Sequence, residues 1–288
     1  MKPVENDLPL VSVYMPTKNR FTLLQKAVES VFAQTYTNIE LVICNDGSTD
    51  GTQKYLTNLK PAGSIKNIHI LTNEESKGAC NARNKAIQNA NGYFVTGLDD
   101  DDIFLPNRIA SLVEHYDPKY AFICSAMIWD YGNKQRTIDK KPGIYTLSHQ
   151  LSYNEATTQI LVERSRILAL NGFDESFVAC QDYDLWTRLI IKFGAFKRIA
   201  DVTYIINDTD TTQRMTANPK SVKGYDQFGA KHGHLMNWQN KQNQEFMKLR
   251  RLRKRYPLSN FVFHLLSNYR IAKIRYFLSS TFKKKPTN

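Results

Sequence analysis

At 288 residues, with 42% apolar and 11% aromatic side chains, the chain can bury a large core, which excludes a disordered protein. Its formal charge of +12 sits at one end: residues 241–288 hold thirteen of the 39 Lys and Arg against one acid, Glu245, while residues 1–240 balance to zero. That asymmetry calls for an anionic partner of the tail, either nucleic acid or an anionic membrane.

Cys44, Cys80, Cys124 and Cys180 are scattered without metal-ligand spacing and read as small buried residues. The amino terminus lacks the apolar segment of a signal peptide. The longest charge-free apolar stretch near the carboxyl end, Pro257 to Ser267, is too short to span a bilayer. A cytosolic, reducing location is therefore expected.

Residues 10–126 alternate short β-rich runs with helical patterns, as βαβ units of a parallel sheet do. Residues 10–15 read as a first strand halted by Pro16, and Leu23, Leu24, Ala27, Val28, Val31 and Phe32 form one face of a helix. Strands follow at residues 39–44, 68–71 and 92–98, with a helix over 78–90 before the last. Together they make a doubly wound, Rossmann-like half sheet. After Pro142, residues 159–162 read as a strand, a helix opens at Asp182 and stops at Gly194, and residues 196–206 form another strand. Residues 207–240 are polar and read as a mobile active-site segment or hinge. The expected organisation is one body, 1–240, with halves 1–126 and 127–240, followed by a basic amphipathic helical tail, 241–288.

Four consecutive acids, Asp99, Asp100, Asp101 and Asp102, close the apolar run 93–98. Adjacent carboxylates repel unless a cation offsets them, and at the carboxyl end of a strand the natural cation is Mg²⁺ or Mn²⁺. On extended backbone Asp99 and Asp101 would face the same way. A solvated acidic turn is the competing account. The first strand ends in Pro16, Thr17, Lys18, Asn19 and Arg20, and the second in Asn45, Asp46, Gly47 and Ser48, both on the ligand-binding side of such a sheet. Asp50 is suited to cap the next helix. Arg83, in the first turns of the 78–90 helix, suits an anionic ligand. Asp182, directly before an apolar helical face, reads either as an N-cap or as a rigidly held general base with Trp186 in the wall beside it.

These five segments, Val11 to Arg20, Asn45 to Thr52, Gly78 to Asn84, Leu98 to Ile103 and Gln181 to Trp186, resemble in order and spacing the motifs of family-2 inverting glycosyltransferases with a GT-A fold of the bacterial O-antigen and capsule type. The resemblance implies an α/β GT-A fold, a nucleotide-binding half sheet continuous with an acceptor-binding half, here followed by basic C-terminal helices. It implies that Pro16 and Thr17 line the base, that Asp46 bonds the uracil and that Arg83 lies against the nucleotide. Asp99 would contact ribose or metal, Arg20 and Asp100 would belong to the same donor site, and Asp101 would hold Mn²⁺ or Mg²⁺ on the diphosphate. Asp182 would be the catalytic base. Gln181 stands where a Glu is commoner, and Gln213 to Thr216 resembles a looser segment near the diphosphate.

The implied reaction is inverting hexose transfer from UDP-Gal or UDP-Glc to a sugar acceptor. That acceptor would be a polyprenyl-diphosphate-linked glycan on the inner face of the plasma membrane. The interleaved basic and apolar residues of the tail suit an interfacial helix, with Phe261, Phe263, Leu265, Tyr276 and Phe277 inserted. Nucleic acid is not an expected partner, since no fold signature for it accompanies the charge. The alternatives are a sugar nucleotidyltransferase, which should carry a Gly-rich loop after the first strand, and a non-catalytic nucleic-acid-binding protein acting through the tail.

Overall fold

A computed structural model describes residues 8–209, 219–264, 266 and 269–282. Gln213 to Thr216, Leu265 and the terminal lysines Lys283 to Lys285 lie outside the described residues, as does the side chain of Phe263. The first half runs β1 (Val11–Thr17), α1 (Phe21–Phe32), β2 (Ile39–Asp46), α2 (Thr52–Asn58), β3 (Ile65–Asn73), α3 (Ala79–Gln88), β4 (Phe94–Gly97), β5 (Ile103–Phe104) and α4 (Arg108–Glu114). The second runs β6 (Ile123–Asp130), β7 (Gln135–Ile138), β8 (Gly143–Tyr145), α5 (Leu147–Ser152), β9 (Leu161–Glu163), α6 (Arg164–Leu168), α7 (Gln181–Phe193) and β10 (Phe196–Asn207). Helices α8 (Pro219–His232), α9 (Trp238–Arg251), α10 (Leu258–His264) and α11 (Arg270–Phe282) follow.

One sheet of order β3-β2-β1-β4-β9-β6-β10-β5 joins the two halves. Strands β1 to β4 pair in parallel, and β9 turns antiparallel between β4 and β6. Every residue of β1 and β2 is buried because helices cover both faces. Val11, Val13 and Met15 pack with Leu24, Ala27, Val28 and Val31 of α1, while Tyr14, Val42 and Cys44 pack with Cys80, Ala82 and Ala86 of α3. The four cysteines are free, three of them buried.

Pro16 does not halt the first strand, which continues through Thr17 in register with β2. Pairing with β4 stops at Tyr14 opposite Gly97, so beyond that point β1 has a ladder neighbour on one side only, a position that tolerates the missing N–H. The 207–240 segment also departs from expectation. Where described beyond 218 it is largely helix α8, whose Tyr225 and Phe228 are buried in a third core beside Tyr183 of α7. Phe228 stacks on Tyr183 with centroids 3.8 Å apart.

The expected boundary at 240/241 falls inside α9. Gln244 Nε2 donates to Leu151 O at 2.6 Å and Tyr183 Oη at 2.7 Å, and Phe246, Met247 and Tyr256 complete the third core. Phe261, Tyr276 and Phe277, expected to enter a bilayer, pack on this core instead, with Phe261 and Phe277 stacked at 4.1 Å. Lys273 is buried too: its Nζ donates to Asn243 Oδ1 at 2.6 Å, and burial pulls its ammonium down to about 8. The outward apolar face is a different set, Leu258, Val262, Leu266, Ile271, Ile274 and Leu278. Among the described residues no helix is long and apolar enough to cross a membrane.

Candidate active site

The loops after β1 and β2 are tied into one rim. Asn19 N donates to Ser48 Oγ at 3.0 Å and Asn19 Oδ1 accepts from Thr49 N at 2.7 Å. Asp50 accepts from the first amide of two helices, Phe21 N at 3.1 Å and Thr52 N at 2.9 Å, although Gly51 and not Asp50 holds the N-cap position of α2. Below this rim opens a cavity of about 600 Å³ lined by Pro16, Thr17, Arg20, Asp46, Arg83, Asp99, Asp100 and Asp101. These eight residues, far apart in sequence, are the whole expected donor and metal set.

Asp46 lines this cavity with its oxygens already committed. Oδ1 accepts from Asn73 Nδ2 and Lys77 N, both at 2.8 Å, and Oδ2 from Ser76 Oγ at 2.7 Å and Gly78 N at 2.9 Å. Burial alone would raise its pKa, but these four donors outweigh it and hold the carboxyl below the usual range. In this structure Asp46, expected to bond a uracil, holds the 73–78 loop and the start of α3.

The four acids form a turn, not an extended run: Asp102 N donates to Asp99 O at 3.0 Å. Gly97 brings the chain to this turn where any side chain would collide, since a Cβ there would lie 2.0 Å from Gln159 Oε1. The alternation expected of Asp99 and Asp101 therefore does not apply, yet both reach the cavity. Arg83 pairs with Asp99 at 2.8 Å, and Arg20 bridges Asp100 at 2.9 Å and Asp101 at 2.6 Å. Asp102 turns inward to accept from Tyr204 Oη at 2.7 Å and Asn207 N at 2.9 Å, fastening the turn to β10.

Two guanidinium groups thus meet three of the four carboxylates. Burial, only partly offset by Arg20, pushes the Asp101 carboxyl up to about 6. Among the described residues no three His, Cys, Asp or Glu side chains form a ready metal cage. A hard cation fits this donor set only when shared with a ligand's phosphates, which is the usual way Mg²⁺ is held.

A second cavity, of about 410 Å³, shares Arg20, Asp99 and Asp101 with the first and extends under β6 and β10 to α7, α8 and the end of α9. Asp182 lines this cavity. It is not the helix cap: Cys180 holds that position, left-handed at φ 62°. Asn154 Nδ2 donates to Asp182 Oδ2 at 3.0 Å, and burial pushes the carboxyl up to about 6 against the opposing pull of the Tyr183 amide and Arg83. Gln181 points back to Phe177 O at 3.2 Å. Asp184 is buried under Arg188, Lys231 and His232 and clamps α7 to α8.

Trp186, expected in the cavity wall, is in the core. It packs on Phe122 and Phe173 and donates Nε1–H to Thr157 O at 3.0 Å, which steadies the loop that carries Asn154. Asn154, Trp129 and Arg251 line the second cavity and were not singled out from the sequence. Their segments have no periodicity that points to a site.

Residues 12–170 match the family described as glycosyl transferase family 2. The chain belongs to this family. This glycosyltransferase is 32% identical over 236 residues to WcaA of Escherichia coli K12, named as a colanic acid biosynthesis glycosyl transferase, which covers 78% of this chain and 81% of that protein. It is 32% identical over 187 residues to the Escherichia coli enzyme WfgD, named a UDP-Glc:alpha-D-GlcNAc-diphosphoundecaprenol beta-1,3-glucosyltransferase (63% of this chain, 70% of that one). Among solved structures it is similar to S. aureus TarS in complex with UDP-GlcNAc, with TM-score 0.62 and 18% identity over 94% of this chain and 79% of that one. It is also similar to the Pyrobaculum calidifontis mannosyltransferase PcManGT with GDP-Man and Mn²⁺, with TM-score 0.56 and 16% identity over 99% of this chain and 79% of that one. The fold is GT-A. Family membership excludes the nucleotidyltransferase and the non-catalytic nucleic-acid binder.

Proposed function

We propose that this glycosyltransferase moves a hexose, from UDP-Glc or UDP-Gal, with inversion onto a hydroxyl of a polyprenyl-diphosphate-linked glycan in bacterial surface polysaccharide synthesis. The observation behind this reading is that Asp182 lines one cavity and the expected donor set lines another, and that the two meet at Arg20, Asp99 and Asp101. The name of WfgD supports the UDP donor and the lipid-linked acceptor, and the UDP-GlcNAc complex of TarS supports a UDP donor.

In this mechanism residues 1–126 hold the donor, and residues 127–240 with Arg251 at the end of α9 line the acceptor side. Pro16 and Thr17 flank the base, Arg83 fixes Asp99 toward the ribose, and Arg20 fixes Asp100 and Asp101 toward the diphosphate. Trp129 offers a flat apolar wall for the acceptor sugar, with Met127, Ile138 and Ile206 beside it. Asp182, oriented by Asn154, removes the proton of the attacking hydroxyl, which adds to the anomeric carbon as the diphosphate leaves from the opposite face. Asp101 would hold Mn²⁺ or Mg²⁺ there, and the cation would supply charge neutralisation for the departing diphosphate.

The enzyme would work as a peripheral protein at the inner face of the plasma membrane. Support for this comes from the outward apolar set on α10, α11 and the residues between them, flanked by exposed Arg253, Lys254, Arg255, Arg270 and Arg275.

The test is a panel of nucleotide sugars incubated with the full chain and Mn²⁺, read as released nucleotide. UDP-hexoses should be consumed, with loss of turnover in EDTA and in Asp101→Ala. Preference for a GDP-sugar, or full turnover in EDTA, would contradict the reading.

A further inference from the structure

The basic tail contributes a charge to the acceptor cavity. Arg251 ends α9, where a cation is favoured by the helix dipole. Its neighbours in that last turn have other partners: Lys248 pairs with Asp226 at 2.8 Å and Glu245 at 3.0 Å, and Arg250 lies 5.8 Å over the Phe246 ring. Arg251 alone of the three lines the cavity. Its guanidinium stands near the phenol of Tyr225, Tyr153 and Cys180, and has no carboxylate paired with it among the described residues.

A half-buried guanidinium beside a phenol, with no ion pair among the described residues, retains donors for a ligand in a place where unpaired charge is costly. Arg251 and Asp182 both line the acceptor cavity and neither lines the donor cavity, so the anion that would satisfy Arg251 arrives with the acceptor. We propose that Arg251 binds a phosphoryl group at the reducing end of the acceptor sugar and so selects phosphate-linked over neutral acceptors. This rests on the function proposed above and deepens it. A phosphoryl group fits better than a sugar carboxylate, because a short connection, 252–257, leads from Arg251 to α10 and α11, which carry exposed apolar side chains. A lipid leaving the phosphate would find its surface there. Guanidinium donors also match phosphoryl oxygens in pairs.

The experiment compares two acceptors with the same sugar, a short-alkyl diphosphate glycoside and the neutral alkyl glycoside, with the full-length wild type, Arg251→Gln and Arg251→Lys. UDP titration reports whether each variant is folded. The preference in kcat/KM for the diphosphate acceptor should fall about ten- to hundredfold in Arg251→Gln, the size of one charge-assisted hydrogen bond, mainly through KM. Arg251→Lys should recover part of it. Direct titration of the alkyl diphosphate glycoside without donor should weaken in parallel, a readout that does not depend on which sugar is transferred. An unchanged preference in Arg251→Gln, or a loss shared equally by both acceptors, overturns the assignment. Wild type that transfers to neither acceptor counts against the proposed function instead, and the direct titration still decides the role of Arg251.

Discussion

Asp182 and Asp46 are both acids at cavity walls, and their surroundings push them in opposite directions. Asp46 has four donors and is held ionised, whereas Asp182 has Asn154 and one helix amide against burial and is pushed up to about 6. A carboxyl near 6 is the stronger base and is still mostly ionised at neutral pH. Asp182→Asn should therefore lower transfer by ~10²–10⁴-fold, the usual loss for a general base, while UDP affinity measured by calorimetry stays near wild type. Collapse of UDP binding would make Asp182 structural. The base works deprotonated, so kcat/KM should be flat above its pKa and fall as pH drops through about 6. The residual activity of Asp182→Asn should lack that acid limb.

At the scale of elements, α9 to α11 divide between core and surface. Cutting the chain at residue 245 would remove Phe246, Met247 and Tyr256 from the third core, so a deletion would test folding more than membrane binding. Substitutions on the outward face separate the two. Ile271 and Leu278, 68% and 48% exposed, lie seven residues apart on α11. Ile271→Glu with Leu278→Glu should release the enzyme from anionic vesicles in flotation, with little change in melting temperature. High salt should weaken wild-type binding without abolishing it, because apolar insertion is not screened. A double variant that floats like wild type would leave the face without a membrane role. Position 241 reads as the start of a tail because the residues that anchor α9, Asn240, Asn243 and Gln244, are polar, and pattern cannot mark them as buried.

Across the whole molecule, legibility follows the kind of contact. The parallel half was readable because strands buried on both faces are continuous apolar runs separated by helical repeats. Its site was readable too, since ligands gather at the carboxyl ends of such strands. The acceptor half was readable only in part: the helix expected from Asp182 to Gly194 is α7 and the strand expected at 196–206 is β10, but β7, β8 and α8 were not expected. Even in the first half, strand β5 is two residues long and exists only because Phe104 meets Tyr204, one hundred positions away. Trp186 shows the same limit at one residue, since an apolar helical face does not say which ring borders a cavity. The acid Asp102, inconspicuous within a run of four, turned out to fasten the turn to β10. The arrangement of two cavities meeting at one acidic turn, with the buried carboxyl of Asp182 on the acceptor side, leads to one central claim: direct displacement with inversion. The measurement that tests it is the anomeric configuration of the product, read from the H1–H2 coupling by NMR after transfer from an α-linked UDP-hexose. The account predicts a β-linked product, and an α-linked product would contradict it.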